Sequence, residues 1–411
     1  MIRIARVAGM LLLAMHLQAA PAAEPLRVAF INTLSGAFAL QGEETLKNVQ
    51  AAVDMVNGRG GVLGRQIEIV PFDNKGNPQE TLVVLKQAID QDIRYVISGV
   101  SNIAHAITDA VAKHNARNPD QPVLFLDYGA LDPALTEGKC GFWHFRFEAH
   151  ADMQVAVLAD YMARQPGVRK VYLINQDYAF GQATAKAARE MLAARRADIE
   201  IVGDELVPLG KVKDFAPYVA KIRASGADSV LTGNWGNDLS LLIKAGNETG
   251  LKATYYTLLG AFFGTPGAIG AAGADRVKTL YAYNINAAGA ARQKLLLGYR
   301  DKYSALTNMT YLPAQRAVDM FAMAMEKAKA DDPLKVALAL EGMRYDGPSG
   351  ESWMRAEDHQ IIAPIYLLGF ARVGTPGVKV EEEKTGYGWK TEALIEAKDT
   401  VPPVKCQMQR P

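Results

Sequence analysis

Two short stretches of the 411-residue chain carry the residues best suited to gripping a small molecule. The first reads Tyr95-Val96-Ile97-Ser98-Gly99-Val100-Ser101-Asn102, and the second Val123-Leu124-Phe125-Leu126-Asp127-Tyr128-Gly129-Ala130-Leu131. Each is an apolar or β-branched run that breaks into small and polar residues, the pattern of a buried parallel strand running into a loop. Open α/β sheets collect ligands at the carboxyl ends of their strands. Where the loop enters a helix, unpaired N–H groups and the helix dipole favour an anion. Ser101 and Asn102 at one strand end, with Gly129 and Ala130 at its neighbour, are therefore the candidate donors.

Aromatic residues point to the same edge. Phe38, Tyr128, Tyr178, Phe180, Trp235 and Phe262 all fall in loops expected at strand carboxyl ends. Any one of them could be ordinary lobe packing; six on one edge describe the wall of a small-molecule cleft. Catalytic readings find less support. Ser101 needs a base beside it to act as a nucleophile; His105, four residues on, reads more simply as a solvated or capping histidine. The six His are scattered, whereas a metal site needs convergent ligands, so neither metal nor cofactor is expected. Gly58-x-Gly60-Gly61-x-x-Gly64 follows a helix and precedes a strand. That is the reverse of a dinucleotide fingerprint, and it predicts a tight turn.

The elements that must position these residues alternate from residue 26 onward. Strands are predicted at 26–33, 66–72 and the two stretches above, with helices at 43–57, 78–91 and 103–115 and a loop at 34–42. Helix 43–57 places Leu46, Val49, Ala52, Val53 and Val56 near a 3.6-residue period. A strand at 142–147 follows; the alternation then restarts with helices at 152–165, 181–194, 215–225 and 239–250. Strands are expected between them at 170–174, 200–207, 229–233, 253–259 and 278–283. Further helices are predicted at 293–303, 312–330 and 333–340, and a last strand at 364–373. The fold class is thus α/β: two doubly wound, Rossmann-like lobes joined by three short crossings near 147–151, 283–287 and 360–364. The expected division is 24–148 plus 285–361 for one lobe, 149–284 plus 362–390 for the other, and a tail at 391–411.

Residues 1–23 stand apart. Arg3 and Arg6, an apolar run from Val7 to Leu17, and Ala20-Pro21-Ala22 make a secretory signal. The apolar run is about half the length of a membrane span. Without that segment, which holds two arginines and no acids, 43 basic face 44 acidic residues. With 49% hydrophobic and 22% charged residues, nothing favours nucleic acid or an anionic membrane as partner. Cys140 and Cys406 are the only cysteines. In an oxidising compartment each has one possible intramolecular partner, and a bridge would anchor a tail with little else to hold it; two separate buried thiols are the alternative.

With these residues placed, the chain resembles the type I periplasmic binding proteins of ABC uptake systems, closest to the Leu/Ile/Val-binding branch that takes amino acids, amides and related solutes. The likeness runs from about residue 26 to 373 and rests on four ordered segments. They are Leu34-Ser35-Gly36 with Gly42, Val56-Asn57 with Gly60-Gly61-Val62-Leu63-Gly64-Arg65, the run from Asp127 to Thr136, and Asp177-Tyr178-Ala179-Phe180-Gly181. The resemblance implies that a ligand carboxylate is held by the hydroxyl side, Ser101 or Asn102, and by backbone N–H groups at Ala130 and Leu131. It also implies walls at Gln41, Phe180 and Trp235, although Gln41 is not aromatic and Leu131 replaces the family's usual Thr. Family members that bind α-amino acids place an acid after the strand matching 253–259; here no Asp or Glu lies between Glu248 and Asp275. Either Asp127 or Asp177 substitutes, or the ligand lacks an ammonium. The second reading, a small carboxylate or amide stacked by Tyr128, Phe180 and Trp235, is preferred.

The expected protein is a monomeric, non-enzymatic periplasmic receptor that binds a small solute and meets an ABC permease of the inner membrane transiently. A ligand sensor for a signalling partner and a secreted hydrolase are the alternatives.

Overall fold

The computed structural model describes residues 23–411, so all of the expected export signal but its last residue, Ala23, lies outside the described residues. The first sheet is built from β1 (Leu26–Asn32), α1 (Ala39–Asn57), β2 (Ile67–Asp73), α2 (Pro78–Asp90), β3 (Tyr95–Ser98), α3 (Ser101–Arg117), β4 (Leu124–Asp127) and β5 (His144–Arg146). Its order is β2-β1-β3-β4-β5, all parallel. The chain then crosses and repeats the plan. It forms α4 (Ala151–Ala163), β6 (Lys170–Gln176), α5 (Ala179–Arg195), β7 (Glu200–Val207), α6 (Ala216–Ala224) and β8 (Ser229–Thr232). Next come α7 (Gly236–Glu248), β9 (Thr254–Thr257), α8 (Thr265–Gly273) and β10 (Val277–Tyr281).

A second crossing leads to α9 (Ala290–Lys302), α10 (Leu312–Ala328) and α11 (Pro333–Leu340). Three antiparallel strands follow, β11 (Arg344–Gly347), β12 (Gly350–Met354) and β13 (Ile361–Ile362). A third crossing returns to β14 (Ile365–Arg372) and β15 (Tyr387–Ile395). The second sheet runs β15-β14-β10-β9-β8-β6-β7, with β6–β10 parallel and β14 and β15 antiparallel. Both parallel units therefore have the order 2-1-3-4-5, and each has its topological switch point between its first and third strands.

Burial explains the pattern. Every residue of β3, β4 and β8 is buried, as strands covered by helices on both faces must be. The first core joins β1, β3 and β4 to Ala314, Ala317 and Phe321 of α10. The second gathers β6, β8, β9 and β10 with Phe370 and Trp389, and includes Leu296 of α9. Residues 58–64 form the expected tight turn, with Gly60, Gly61 and Gly64 at positive φ and Val62 bridged to Arg65.

Three expectations need correction. Residues 34–42 are not all loop, because a 3-10 turn (Gly36–Phe38) leads into a helix that starts at Ala39 and carries Gln41. Helix α8 and strands β11–β13 were not expected; α8 is two-thirds glycine and alanine and breaks at Gly270, so it shows little periodicity. The strand at 364–373 is not the last, and residues 391–395 are not tail, since β15 pairs with β14 along its whole length. Its register slips between Leu367 and Leu368, leaving Glu392 unpaired. That bulge reverses the inside-outside alternation halfway and hides the strand from a period-2 reading.

Cys140 and Cys406 are bonded, with Cα atoms 5.8 Å apart. The tail is better held than its sequence implies: Arg355 Nη1 donates to Pro402 O at 2.6 Å, Thr400 Oγ1 to Ala363 O at 3.2 Å, and Lys405 pairs with Glu137 at 2.9 Å. Reduction is expected to cost about 2–5 kcal/mol, toward the lower end because these contacts remain. Comparing urea midpoints of the native protein and of Cys140→Ser/Cys406→Ser checks this; coincident midpoints would refute it.

The β14–β15 connection carries a buried acid, Glu382, and a half-buried one, Glu383. Glu383 accepts from Gly264 N and Gly267 N at 2.7 and 2.6 Å, at the start of α8, and Glu382 accepts from Asn308 Nδ2 at 2.9 Å. Burial pushes Glu382 up to about 8 and Glu383 up to about 7. The folded state thus holds protons that the unfolded chain releases near 4.5, so stability falls as pH rises from there through 7 to 8. The melting temperature is expected to peak in mild acid and decline toward pH 8.5. Glu382→Gln should flatten that decline.

Candidate functional site

The two switch points face each other across a cleft between the sheets. From the first come Asn32 at the end of β1 and Thr33 beyond it, Gly99, Val100 and Ser101 after β3, and Tyr128, Gly129 and Leu131 after β4. From the second come Tyr178 and Phe180 after β6, Trp235 after β8, and Leu259 and Phe262 after β9. Phe38 just before α1, Gln41, Gly42 and Thr45 from its start, and Tyr311 before α10 complete a cavity of about 550 Å³ counted to its open mouth.

Its wall is aromatic. Phe38 and Trp235 meet at 4.3 Å between ring centroids, and Trp235, Phe262 and Tyr311 continue edge to face at 6.1 and 5.6 Å. Tyr128 closes the series against Tyr311 at 5.9 Å. The lobes touch through this wall, and Gln41 Nε2 on α1 donates to Phe263 O beyond β9 at 3.1 Å. Gly99 has no side chain because a Cβ there would lie 2.4 Å from the Tyr128 ring.

The donors are not all the expected ones. Asp127 folds back on its own loop, its Oδ1 accepting Gly129 N at 3.0 Å and Ala130 N at 2.8 Å, while Oδ2 lies 3.0 Å from His144 Nε2. Ser101 Oγ accepts Leu131 N at 3.1 Å and Asp132 N at 3.2 Å. The N–H groups of Gly129, Ala130 and Leu131 are therefore spent inside the loop, a correction that follows from the habit of Asp and Ser of bonding nearby backbone. Ser101 is only 3% exposed; with both N–H bonds arriving at its oxygen, its own hydroxyl proton is left to point elsewhere. The N–H group of Ser101 precedes the first bond of α3, from Ala104 N to Val100 O at 2.7 Å, so it is free of the helix at the end of α3 that lines the cavity.

Tyr178 and Tyr128 add hydroxyls. Tyr178 Oη accepts Trp235 Nε1 at 2.9 Å, and Tyr128 Oη accepts from Asn32 Nδ2. Burial, with Asp132 and Asp238 near Tyr178 and Asp127 near Tyr128, pushes both phenols above their ordinary value, so both remain neutral donors.

Of the residues singled out from sequence, Gln41, Ser101, Tyr128, Gly129, Leu131, Tyr178, Phe180 and Trp235 line this one cavity; Asn102 and Ala130 do not. Neither Asp127 nor Asp177 reaches it: Asp127 is fully buried beneath the loop, and Asp177 is exposed, accepting from Gln182 Nε2 at 2.9 Å. Among the described residues no Asp, Glu, Lys, Arg or His lines the cavity. His105 Nε2 lies 2.6 Å from Asp132 Oδ2, turned to that acid instead of to Ser101. Sequence reasoning missed Tyr311 and Thr45; Tyr311 arrives on the return crossing, and only Pro313 behind it, a helix-start signal, marked its place.

Ser101→Ala is expected to leave two buried N–H groups unpaired and to remove a donor from the cleft, weakening solute binding by about 1–3 kcal/mol. Calorimetry checks it, and an unchanged Kd would remove Ser101 from the site.

Two parallel sheets with facing switch points, an interlobe aromatic cleft and three crossings define a two-lobed solute receptor. The chain belongs to the periplasmic binding protein family, whose sequence profile matches residues 25–373, and within it to the Leu/Ile/Val-binding branch of the type I proteins. It is 32% identical over 404 residues to Leu/Ile/Val-binding protein homolog 4 of Brucella abortus (strain 2308), covering 96% of this chain and 95% of that one. The closed crystal structure of the leucine-, isoleucine-, valine-, threonine- and alanine-binding protein of Brucella ovis superposes with a TM-score of 0.84 at 31% identity, covering 95% and 100% of the two chains. An ABC transporter solute-binding protein of Rhodopseudomonas palustris BisB5, solved in complex with 3,4-dihydroxy benzoic acid, shares the fold with a TM-score of 0.77 at 19% identity, covering 91% and 98%.

Proposed function

We propose that this protein is the solute-binding component of an ABC uptake system, exported by residues 1–23, which closes its lobes around an aromatic carboxylate and passes it as a monomer to a membrane permease. The observation that carries the reading is the uncharged wall. An α-ammonium enclosed there would meet no carboxylate, a cost of several kcal/mol that contact with ring faces, worth about 2 kcal/mol, does not offset. A carboxylate is better served, by the Ser101, Tyr128 and Tyr178 hydroxyls and the start of α3, while Phe38, Trp235 and Phe262 suit a flat ring. The fold is compatible with such a ligand in the Rhodopseudomonas protein. Hinge closure around a ligand is general among periplasmic binding proteins, and the solute drives it by binding the closed state better than the open one.

The names of the two Brucella relatives favour a second reading, an aliphatic α-amino acid. A thermal-shift screen separates them, because a ligand bound only by the folded state raises the melting point. Benzoate, 4-hydroxybenzoate and phenylacetate are expected to give the largest shifts. Larger shifts with leucine or valine would replace the aromatic reading with the second.

A further inference from the structure

Behind Tyr311 and Leu259, which line both spaces, a smaller chamber continues the cleft toward the crossings. It is bounded by Glu148 and Gln154 from the first crossing and α4, by Tyr281 at the end of β10, and by Leu258, Leu280 and Ile365. Its polar atoms differ in kind from those of the main cleft. Gln154 is 5% exposed; its Nε2 donates to Ala149 O at 2.8 Å, which fixes the amide orientation and leaves Oε1 buried without a partner. One Glu148 oxygen accepts Ala149 N at 2.8 Å, and the other makes no hydrogen bond. Donors thus face one end of the combined cavity, and acceptors, of which Gln154 Oε1 is buried and unpaired, face the other.

We propose that this chamber is a second subsite of the cleft, in which Gln154 and Glu148 accept hydrogen bonds from a hydroxyl or amino group on the ring of the bound carboxylate. The proposal rests on the aromatic-carboxylate reading and specifies it. An acceptor buried without a partner is costly, and a ring substituent passing the edge of Tyr311 would satisfy it. A methyl group of similar size would occupy the same place and leave Gln154 Oε1 unpaired. Burial also pushes the Glu148 carboxyl up to about 7, against the pull of Arg316, so it gains by any donor that reaches it.

The test measures Kd by calorimetry for benzoate, 4-methylbenzoate, 3-hydroxybenzoate and 4-hydroxybenzoate. The wild-type protein is expected to prefer one hydroxybenzoate over both unhydroxylated acids by about tenfold or more. Gln154→Met should abolish most of that preference, and Glu148→Gln should reduce it. Equal binding of hydroxy and methyl acids by the wild type overturns the subsite and leaves the aromatic reading standing. So does a preference that survives in both variants. Failure of all four acids to bind overturns both. Should Gln154→Met not fold, the wild-type ratio and Glu148→Gln still decide.

Discussion

Replacing Trp235 by alanine is expected to weaken solute binding by about 2–4 kcal/mol, roughly 30- to 1000-fold in Kd. The indole does three things. It is 6% exposed between the lobes, it packs on Phe38 from the opposite lobe at 4.3 Å, and its Nε1 holds the Tyr178 hydroxyl at 2.9 Å. Removal opens the wall to water, separates the lobes at their closest aromatic contact and frees Tyr178 to turn. Trp235→Phe should recover much of the packing but not the hydrogen bond, and so fall between. Calorimetry with the solute selected in the thermal screen is the measurement. A Kd within threefold of wild type for Trp235→Ala would mean that the ligand does not lie against this ring.

Asp127→Ala is expected to destabilise the first lobe by about 3–5 kcal/mol, since it strips a buried polar cluster of its only acid partner for three donors. Gly129 N, Ala130 N and His144 Nε2 all converge on that carboxylate, which is fully buried. Burial holds the His144 imidazole below its usual value, so the ring is a neutral donor. Its loss cannot be made good by water. The melting point should fall by about 5–10 °C, and solute affinity should fall with it because the loop from Gly129 to Leu131 loses its anchor. Asp127→Asn, which keeps an acceptor in place, should retain most of both. A melting point for Asp127→Ala within about 2 °C of wild type would show that the loop holds itself.

Much of this architecture is legible in the chain. Runs such as Tyr95–Ser98 and Leu124–Asp127, buried on both faces, announce parallel strands. Their small polar ends place Ser101 and Gly129 at the cleft before any coordinates exist. Direction was harder. Nothing in the order Asp127-Tyr128-Gly129-Ala130 tells whether the loop's N–H groups face the solute or the preceding carboxylate, because both satisfy them equally well. Tyr311 could not be found for a different reason: it stands 183 residues from Tyr128, whose carbonyl it touches, and only the third dimension brings them together. Strand β15 was obscured by a single unpaired residue, Glu392, which shifts the alternation that a strand shows in sequence.

The bonded tail has a mechanical meaning. Leaving β15 on the second sheet, it passes Ala363 at the third crossing and ends bonded to Cys140, in the loop that follows β4 of the first. The lobes are thereby strapped together at four places, not three. On the proposed closure such a hasp is expected to narrow the arc of opening, leaving the unliganded protein fewer splayed conformations to surrender on capture.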